Sequence, residues 1–307
     1  MDGAPGIVVL GGINMDLVTY SDRFPSPGET VVGHRFLTYA GGKGANQAVA
    51  AARMGGRTSM VGQVGGDLFG PQLLDGLREA GVDVSGIAID GGETSGIAVI
   101  GVDGSAQNRI VQVLGANSTC GAAQAEAVAS ALTDASTLML QLEVPIEVSL
   151  ASARKANAMG KTVILDPGPV RPIPEELIEL ADVITPNETE AAALVGFPVD
   201  GHGAAERAAE ELLRRGARTA IIKLGSQGAI FATGWQGDTS TAFPVEAVDT
   251  VAAGDAFNGA LAVCLAEGRS LERAVMLACA AGALAVTTTG AQDSMPTRAE
   301  VVAFLGR

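Results

Sequence analysis

Short runs of β-branched and aliphatic residues alternate with alanine-rich stretches along most of this 307-residue chain, and that rhythm admits few folds. In the first part, Ile7 to Leu10 precedes a helical segment after Gly44, and Thr58 to Val61 precedes another after Pro71. The second part repeats the pattern with Thr137 to Leu142, Val163 to Leu165, Val183-Ile184 and Ala220 to Ile222. Nearly continuous apolar character over so few residues marks a strand buried on both faces, hence a parallel sheet covered by helices. Helix boundaries agree, with Pro71 and Pro174 near first turns and Gly81, Gly160 and Gly216 just past last turns. The expected fold is α/β, a doubly wound and mostly parallel sheet flanked by helices.

Two stretches break the rhythm. Residues 14 to 40 carry Pro25, Pro27 and Gly28, and within residues 94 to 115 the runs Gly96 to Val102 and Arg109 to Leu114 read as a hairpin around Asp103-Gly104. With no helices between these strands, a small antiparallel sheet is expected, either extending the main sheet or covering a cleft as a lid. The lid is the preferred expectation, because edges and loops are where sites are covered. No linker or internal repeat divides residues 1–307, so one domain with this lid is expected.

Charge and composition exclude several classes. With 20 Lys+Arg against 34 Asp+Glu the net charge is -14, so a surface that tracks phosphates is not expected, nor a nucleic-acid partner. Hydrophobic residues make up 47% of the chain but aromatics only 4%, so small aliphatics must build the interior. The longest apolar segment, Ala274 to Val286, falls short of the roughly 18 residues a membrane span needs and reads as a buried helix. An acidic beginning, Met1 to Pro5, does not look like a signal peptide, and a cytoplasmic location is expected. Cys120, Cys264 and Cys279 have neither disulfide-framework nor zinc-site spacing.

Two glycine-rich turns carry the chemistry. In Ala40-Gly41-Gly42-Lys43-Gly44-Ala45-Asn46-Gln47-Ala48 the glycines let backbone approach a ligand, and the helix N-terminus that follows favours oxygen-rich or anionic groups. In Asp249-Thr250-Val251-Ala252-Ala253-Gly254-Asp255 the small residues leave successive N–H groups free to form an anion-binding nest. A carboxylate beside such a nest suits phosphoryl transfer, with Asp255 removing a proton from an attacking hydroxyl while amides hold the developing charge. Either turn alone could be a tight connection or a helix cap; together they read as a site.

Polar residues also stand at the ends of the buried strands: Asn14 and Asp16, Glu143, and Asp166. Ligands of open α/β sheets bind there, and carboxylates with amides suit a polyhydroxyl compound. Asn187-Glu188-Thr189-Glu190 reads as an acidic helix start that could also order hydrated magnesium. Gly225-Ser226-Gln227-Gly228 reads first as a hairpin turn, alternatively as a turn lying against a nucleotide. Gly160-Lys161-Thr162 lacks the first glycine of a P-loop, having Lys155 there, and Gly62 to Asp67 lacks the third glycine of the dinucleotide fingerprint. His34 and His202 read as surface residues, and the Asn-x-Thr triplets at Asn117 and Asn187 carry no meaning without secretion.

Assembled, the chain resembles the ribokinase-like (PfkB) carbohydrate kinases over essentially its full length. The resemblance rests on Gly11-Gly12-Ile13-Asn14-Met15-Asp16, Pro27-Gly28-Glu29-Thr30, Gly41 to Ala48, Thr185-Pro186-Asn187-Glu188-Thr189-Glu190 and Asp249 to Gly259, in the family's order and spacing. It implies ATP-dependent phosphorylation of the 5-hydroxyl of D-ribose, with Asp255 as base and the Ala252, Ala253 and Gly254 amides as anion hole. It further implies that Asn14, Asp16, Gly42, Lys43, Asn46 and Glu143 hold the sugar. Asn187, Lys223, Gly225, Ser226, Gly228, Gly254 and Cys279 would line ATP, and Glu190 would help order Mg2+ through water. Potassium, an activator in the family, would take Asp249, Val251, Ala285, Thr288, Gly290 and Ser294, and the lids would pair two subunits into a homodimer. Gly12, Met15, Asp166 and Cys279 depart from residues common in relatives, so a kinase for another pentose, a hexose or a nucleoside stays open, as does a catalytically silent sugar sensor.

Overall fold

A computed structural model describes residues 3–105, 107–234, 236–240 and 242–306. The strands, numbered in chain order, form a nine-stranded and a four-stranded sheet. The large sheet holds β1 (Gly6–Leu10), β4 (Arg57–Gly65), β5 (Asp83–Asp90), β8 (Thr137–Leu140), β9 (Thr162–Leu165), β10 (Val183–Ile184), β11 (Thr219–Lys223), β12 (Ala229–Thr233) and β13 (Gln236–Ser240). The small sheet holds β2 (Asn14–Tyr20), β3 (Arg35–Gly41), β6 (Gly96–Val102) and β7 (Asn108–Val113).

The large sheet runs β13-β12-β11-β10-β9-β8-β1-β4-β5, parallel from β11 to β5 and antiparallel only at β11–β12 and β12–β13. From β1 the chain first builds outward through β4 and β5, then returns to β8 on the other side. The order therefore reverses between β1 and β8, and the crevice beyond their carboxyl ends is where such sheets bind ligands.

Period-two alternation divides the core into two layers. Ile7 and Val9 of β1 face a cluster with Met60, Met139, Ile164, Ile221 and the helices Lys43–Arg53, Ala253–Ala266 and Leu271–Ala285. Val8 and Leu10 face the opposite cluster, with Leu138, Leu140, Val163, Leu165 and the helices Ala122–Ala131, Ile146–Ala158 and His202–Arg214. The segment Ala274 to Val286 lies almost wholly in the Leu271–Ala285 helix, and no described helix is long and apolar enough to cross a membrane.

Small residues set the spacing that matters most for function. A Cβ at Gly259 would lie 2.7 Å from Ala51 N, so only glycine lets the Ala253–Ala266 helix lie this close on the Lys43–Arg53 helix. Their first turns, bearing Asp255 and Lys43, thereby meet over the same crevice.

Several boundaries differ from the sequence reading. The strand read as Thr137 to Leu142 ends at Leu140; beyond it the side chain of Gln141 bonds Gln47, while Leu142 packs into the core. The strand from Thr58 runs on to Gly65, which makes Gly62 to Gly65 strand rather than a phosphate-binding turn. Strands β5 and β13 lack the apolar run that marks buried strands, because they are largely exposed edges of the sheet.

The small sheet does not extend the large one. Its two hairpins, β2–β3 and β6–β7, are antiparallel, while β2 and β6 join them in parallel, with Asn14 opposite Gly96 and Gly41. Because only three residues, Gly11 to Ile13, separate β1 from β2, and β3 runs into the Lys43–Arg53 helix, the sheet is rooted at the crevice.

Candidate active site

Five strand ends deliver polar groups to the crevice. Asn14 follows β1, Gln141 and Glu143 follow β8, Asp166 follows β9, Glu190 stands in the helix after β10, and Lys223 ends β11. The residues buried among them include Asn14, Asn46, Gln47, Gln141, Glu143, Asp166, Glu190 and Asp255.

Asp255 occupies the third position of the Ala253–Ala266 helix and is 4% exposed. Its two oxygens are held from the neighbouring helix: Asn46 Nδ2 donates to Oδ2 at 2.9 Å and Gln47 Nε2 to Oδ1 at 3.0 Å. Gln47 Nε2 also donates to Asp166 Oδ2 at 2.8 Å, and its own Oε1 accepts from Gln141 Nε2 at 2.6 Å. Burial pushes the Asp255 carboxyl up, Lys43 opposes that, and Asp166 adds to it, leaving the group above the ordinary carboxylate range. A carboxylate so placed is a competent proton acceptor.

Lys43 Nζ lies 3.1 Å from Asp166 Oδ2, 3.9 Å from Asp255 Oδ1 and 4.0 Å from Glu190 Oε1. Lys223 Nζ meets the other oxygen of Asp166 at 3.2 Å. Burial works against the charge of Lys43, but Asp166, Asp255, Glu190 and Glu143 together drive it well above the usual lysine range. Burial likewise opposes ionisation of Asp166, and Lys223 with Lys43 overcome it and hold that carboxyl low.

On the side of the small sheet, Glu143 accepts three hydrogen bonds. Its Oε2 accepts from Lys43 N at 2.7 Å, and its Oε1 from Asn14 Nδ2 at 3.3 Å and Gln112 Nε2 at 2.7 Å. Asn14 is fixed in turn by Asn117, whose Nδ2 donates to Asn14 Oδ1 at 2.8 Å and whose Oδ1 accepts from Ile13 N at 2.9 Å. Asp16 lies over Gly41, where a Cβ would come within 2.7 Å of its carboxyl carbon. Burial, then Glu143 and Asp255, raise the Asp16 carboxyl to about 7. Gly42 adopts φ 90°, and a Cβ there would lie 2.6 Å from Gly12 O. Gly12 itself is required, since its Cβ would stand 2.6 Å from Glu143 Cβ. Met15 is 5% exposed and packs into the core, so it does not narrow the crevice.

Beyond Lys223 opens a pocket of about 380 Å³ whose walls include Lys223, Gly225, Ser226, Gly228, Gly254 and Cys279. The Gly225–Gln227 turn is both the β11–β12 connection and part of this wall. Asn187 is not among the lining residues: its Oδ1 caps the Glu188–Val195 helix, accepting from Glu190 N at 2.8 Å, while Glu190 Oε2 accepts from Asn187 N at 2.9 Å. At the pocket's inner end Ala252 takes φ 60°, the one non-glycine residue with positive φ among the described residues. The amides of Ala253 and Gly254, first in their helix, have no carbonyl one turn earlier to bond.

Asp249 gathers a further loop, accepting from Val251 N and Gly290 N, each at 3.0 Å. Ala285 O accepts from Thr288 N at 3.2 Å and Ser294 Oγ donates to Ala291 O at 2.8 Å. One carboxylate with carbonyl and hydroxyl oxygens is a donor set for a hard cation. His34 and His202 are exposed, as read from sequence.

Sequence reasoning missed Gln47, Gln112, Gln141 and Asn117 as parts of this network. Gln141 had a signal, a polar residue closing an otherwise apolar run that ends in Glu143.

The model of the pfkB family carbohydrate kinases matches residues 4–298. The ribokinase of Bacillus subtilis is 40% identical over 97% of this chain and 99% of its own length. That of Haemophilus influenzae is 38% identical over 97% of this chain and 98% of its own. Among solved structures, Arabidopsis thaliana ribokinase complexed with ribose and ATP superposes with a TM-score of 0.92, at 34% identity and 99% coverage of both chains.

Proposed function

Since the chain belongs to the pfkB family of carbohydrate kinases, we propose that it transfers the γ-phosphoryl group of ATP to the 5-hydroxyl of D-ribose, giving D-ribose 5-phosphate and ADP. The observation that carries this reading is Asp255, buried and held through both oxygens by Asn46 and Gln47 at the mouth of a helix whose first amides are free.

The sugar lies between the small sheet and the crevice, held by Asn14, Asp16, Lys43, Asn46, Glu143 and the backbone at Gly42. Asp255 takes the proton of the 5-hydroxyl, the oxygen attacks the γ-phosphorus in line, and the bond to the β-phosphate bridging oxygen breaks to release ADP. Negative charge on the transferring group meets the amides at Ala252 to Gly254 and the helix dipole. Lys43 and Lys223 flank its path, one from the sugar side and one from the nucleotide side. The base lies in the pocket beside Cys279 and the phosphates along Gly225, Ser226 and Gly228. Asn187 supports this side by bonding Glu190 and bridging to Lys223.

Magnesium, which neutralises phosphate charge when bound, would be ordered through water by Glu190, whose Oε1 faces Lys43. Potassium would take the oxygens of Asp249, Val251, Ala285, Thr288, Gly290 and Ser294, a loop just ahead of the free amides. The small sheet acts as a lid over one domain, excluding water from the phosphoryl group. Its apolar residues Phe36, Val99, Val111 and Val113, on the face opposite Asp16 and Gln112, are exposed, which supports a homodimer through the lids. The buried free thiols Cys120, Cys264 and Cys279 suit a cytoplasmic location.

ADP release from Mg-ATP with D-ribose, 2-deoxyribose, fructose and adenosine, with and without potassium, tests the reading. Highest turnover on ribose, raised by potassium, is expected, and Asp255→Asn should lower kcat by about 10²–10⁴-fold while ribose still binds. Ribose binding without ADP release would make the chain a sensor; a monomeric mass at assay concentration would remove the dimer.

A further inference from the structure

The β6–β7 hairpin puts one side chain onto the crevice. Gln112, next to the last residue of β7, donates from Nε2 to Glu143 Oε1 at 2.7 Å, a bond joining the small sheet to the carboxyl end of β8. Asp16 of β2 pairs with Ala98 of β6, and Ala98 pairs with Gln112. Residues directly opposite share a face, so Asp16, Ala98 and Gln112 form one row facing the crevice.

Two interstrand spacings separate Asp16 from Gln112, about 10 Å between backbones. The small Ala98 leaves the middle of that row open between the two polar side chains. Asp16 offers acceptor oxygens when ionised. The Gln112 amide has one N–H committed to Glu143, leaving a second N–H and a carbonyl oxygen. A hydroxyl donates and accepts at once, which is what such an amide can satisfy.

We propose that Gln112 is a specificity-determining residue of the lid, its amide binding one hydroxyl of the C2–C3 diol of the sugar while its bond to Glu143 holds the hairpin down. The proposal rests on ribose as the substrate. A pentose bound with its 5-hydroxyl at Asp255 turns the ring hydroxyls away from the transferred group and toward the lid. Gln112 and Asp16 then bracket the diol, and Glu143 links Gln112 to Asn14 and to the Lys43 amide. Loss of a sugar hydroxyl therefore leaves a lid amide unpaired and loosens closure in one event.

The experiment compares wild type with Gln112→Met, close in shape but without the amide, on ribose, 2-deoxyribose and 3-deoxyribose, reading kcat/KM and direct ribose binding. Gln112→Leu is the second variant, and melting temperature with KM for ATP checks that fold and nucleotide site are untouched. Both variants should lose about tenfold on ribose but less than about twofold on the deoxy sugar that lacks the hydroxyl read by Gln112. Equal losses on all three sugars would make Gln112 a general closure contact, and no loss would remove it from recognition; either overturns the proposal. Wild type silent on all three would overturn the ribose reading and this one with it, whereas wild-type turnover with additive losses overturns this one alone.

Discussion

The Lys43 ammonium stands 3.9 Å from Asp255 Oδ1, within ion-pair range but without a hydrogen bond, because its bond goes to Asp166 Oδ2 at 3.1 Å. Asp166 thus holds Lys43 back from Asp255, while Lys223 on its other oxygen fixes its own position. Asp255 keeps the raised proton affinity that burial gives it, moderated rather than cancelled by the nearby cation.

This arrangement makes activity dependent on pH in a defined direction. Asp255 must be ionised to accept a proton and its carboxyl is raised, so kcat/KM should fall with decreasing pH at values above the ordinary carboxyl range of about 4. Lys43 lowers that carboxyl and Asp166 raises it, so Lys43→Met should move the acid limb up and Asp166→Asn should move it down. Shifts of at least about half a pH unit are expected. A pH–rate profile for the three proteins decides the matter, and shifts of the same sign in both variants would contradict it.

Asp16 governs stability instead. Its carboxyl is raised to about 7 by burial, then by Glu143 and Asp255, with no described hydrogen bond to compensate. A raised carboxyl means the folded state binds the proton more tightly than the unfolded chain. Its stabilising contribution is therefore full below about 4 and lost as pH rises through about 7. Asp16→Asn should melt at least about 2 °C higher than wild type at pH 8, with the advantage gone near pH 4. Melting curves of the ligand-free proteins across that range provide the check.

Asn117 is a positioning residue for Asn14. Fully buried, it bonds Ile13 through both N–H and C=O and Asn14 through its side chain. Asn117→Ala leaves those groups without partners in a closed space and should cost about 2 kcal/mol of stability. KM for ribose should rise severalfold while KM for ATP stays the same, since the pocket proposed for the nucleotide lies beyond Lys223, away from Asn14. Chemical denaturation and initial rates measure the two effects separately; an unchanged KM for ribose would show that Asn14 holds its place without Asn117.

Asn117 also illustrates what sequence makes legible. It sits in an Asn-x-Thr triplet, a pattern that drew attention for a reason unconnected with its burial. Its role depends on contact with Ile13, more than a hundred positions away, and long-range pairing leaves no local mark. Gln47 follows Asn46 directly, about 100° around the helix, yet both bond Asp255 because the crevice meets that helix at its first turn. By contrast, β1, β8 and β9 were readable because burial on both faces writes an apolar run. Asp255, Lys43 and Glu190 stood out because each lies in the first turn of a helix entered from a short turn of small or polar residues, although Asp255 and Lys43 meet partners more than a hundred positions away. The parallel β2–β6 joint was not, since two hairpins can dock in either sense without changing their own patterns.

Ala252 carries the last expectation. At φ 60°, ψ 10° it adopts the left-handed conformation, which costs a residue with a Cβ about 1–2 kcal/mol. The residues that follow this turn, Ala253 and Gly254, are part of the wall of the pocket beside Cys279. Glycine meets no such penalty, but gives the unfolded chain more freedom, which offsets about 0.4–1 kcal/mol of the gain. Ala252, itself partly buried, also packs against the buried core cluster. Ala252→Gly should therefore stabilise the protein by no more than about 1 kcal/mol, raising the melting temperature by about 2–4 °C at most. The same substitution loosens the turn that aims the amides, so kcat should stay level or fall while ribose binding is unchanged. Melting temperature together with kcat tests both halves. A lower melting temperature would mean that the methyl contacts outweigh the strain, and a higher kcat would mean that the fixed conformation of Ala252 hinders transfer rather than preparing for it.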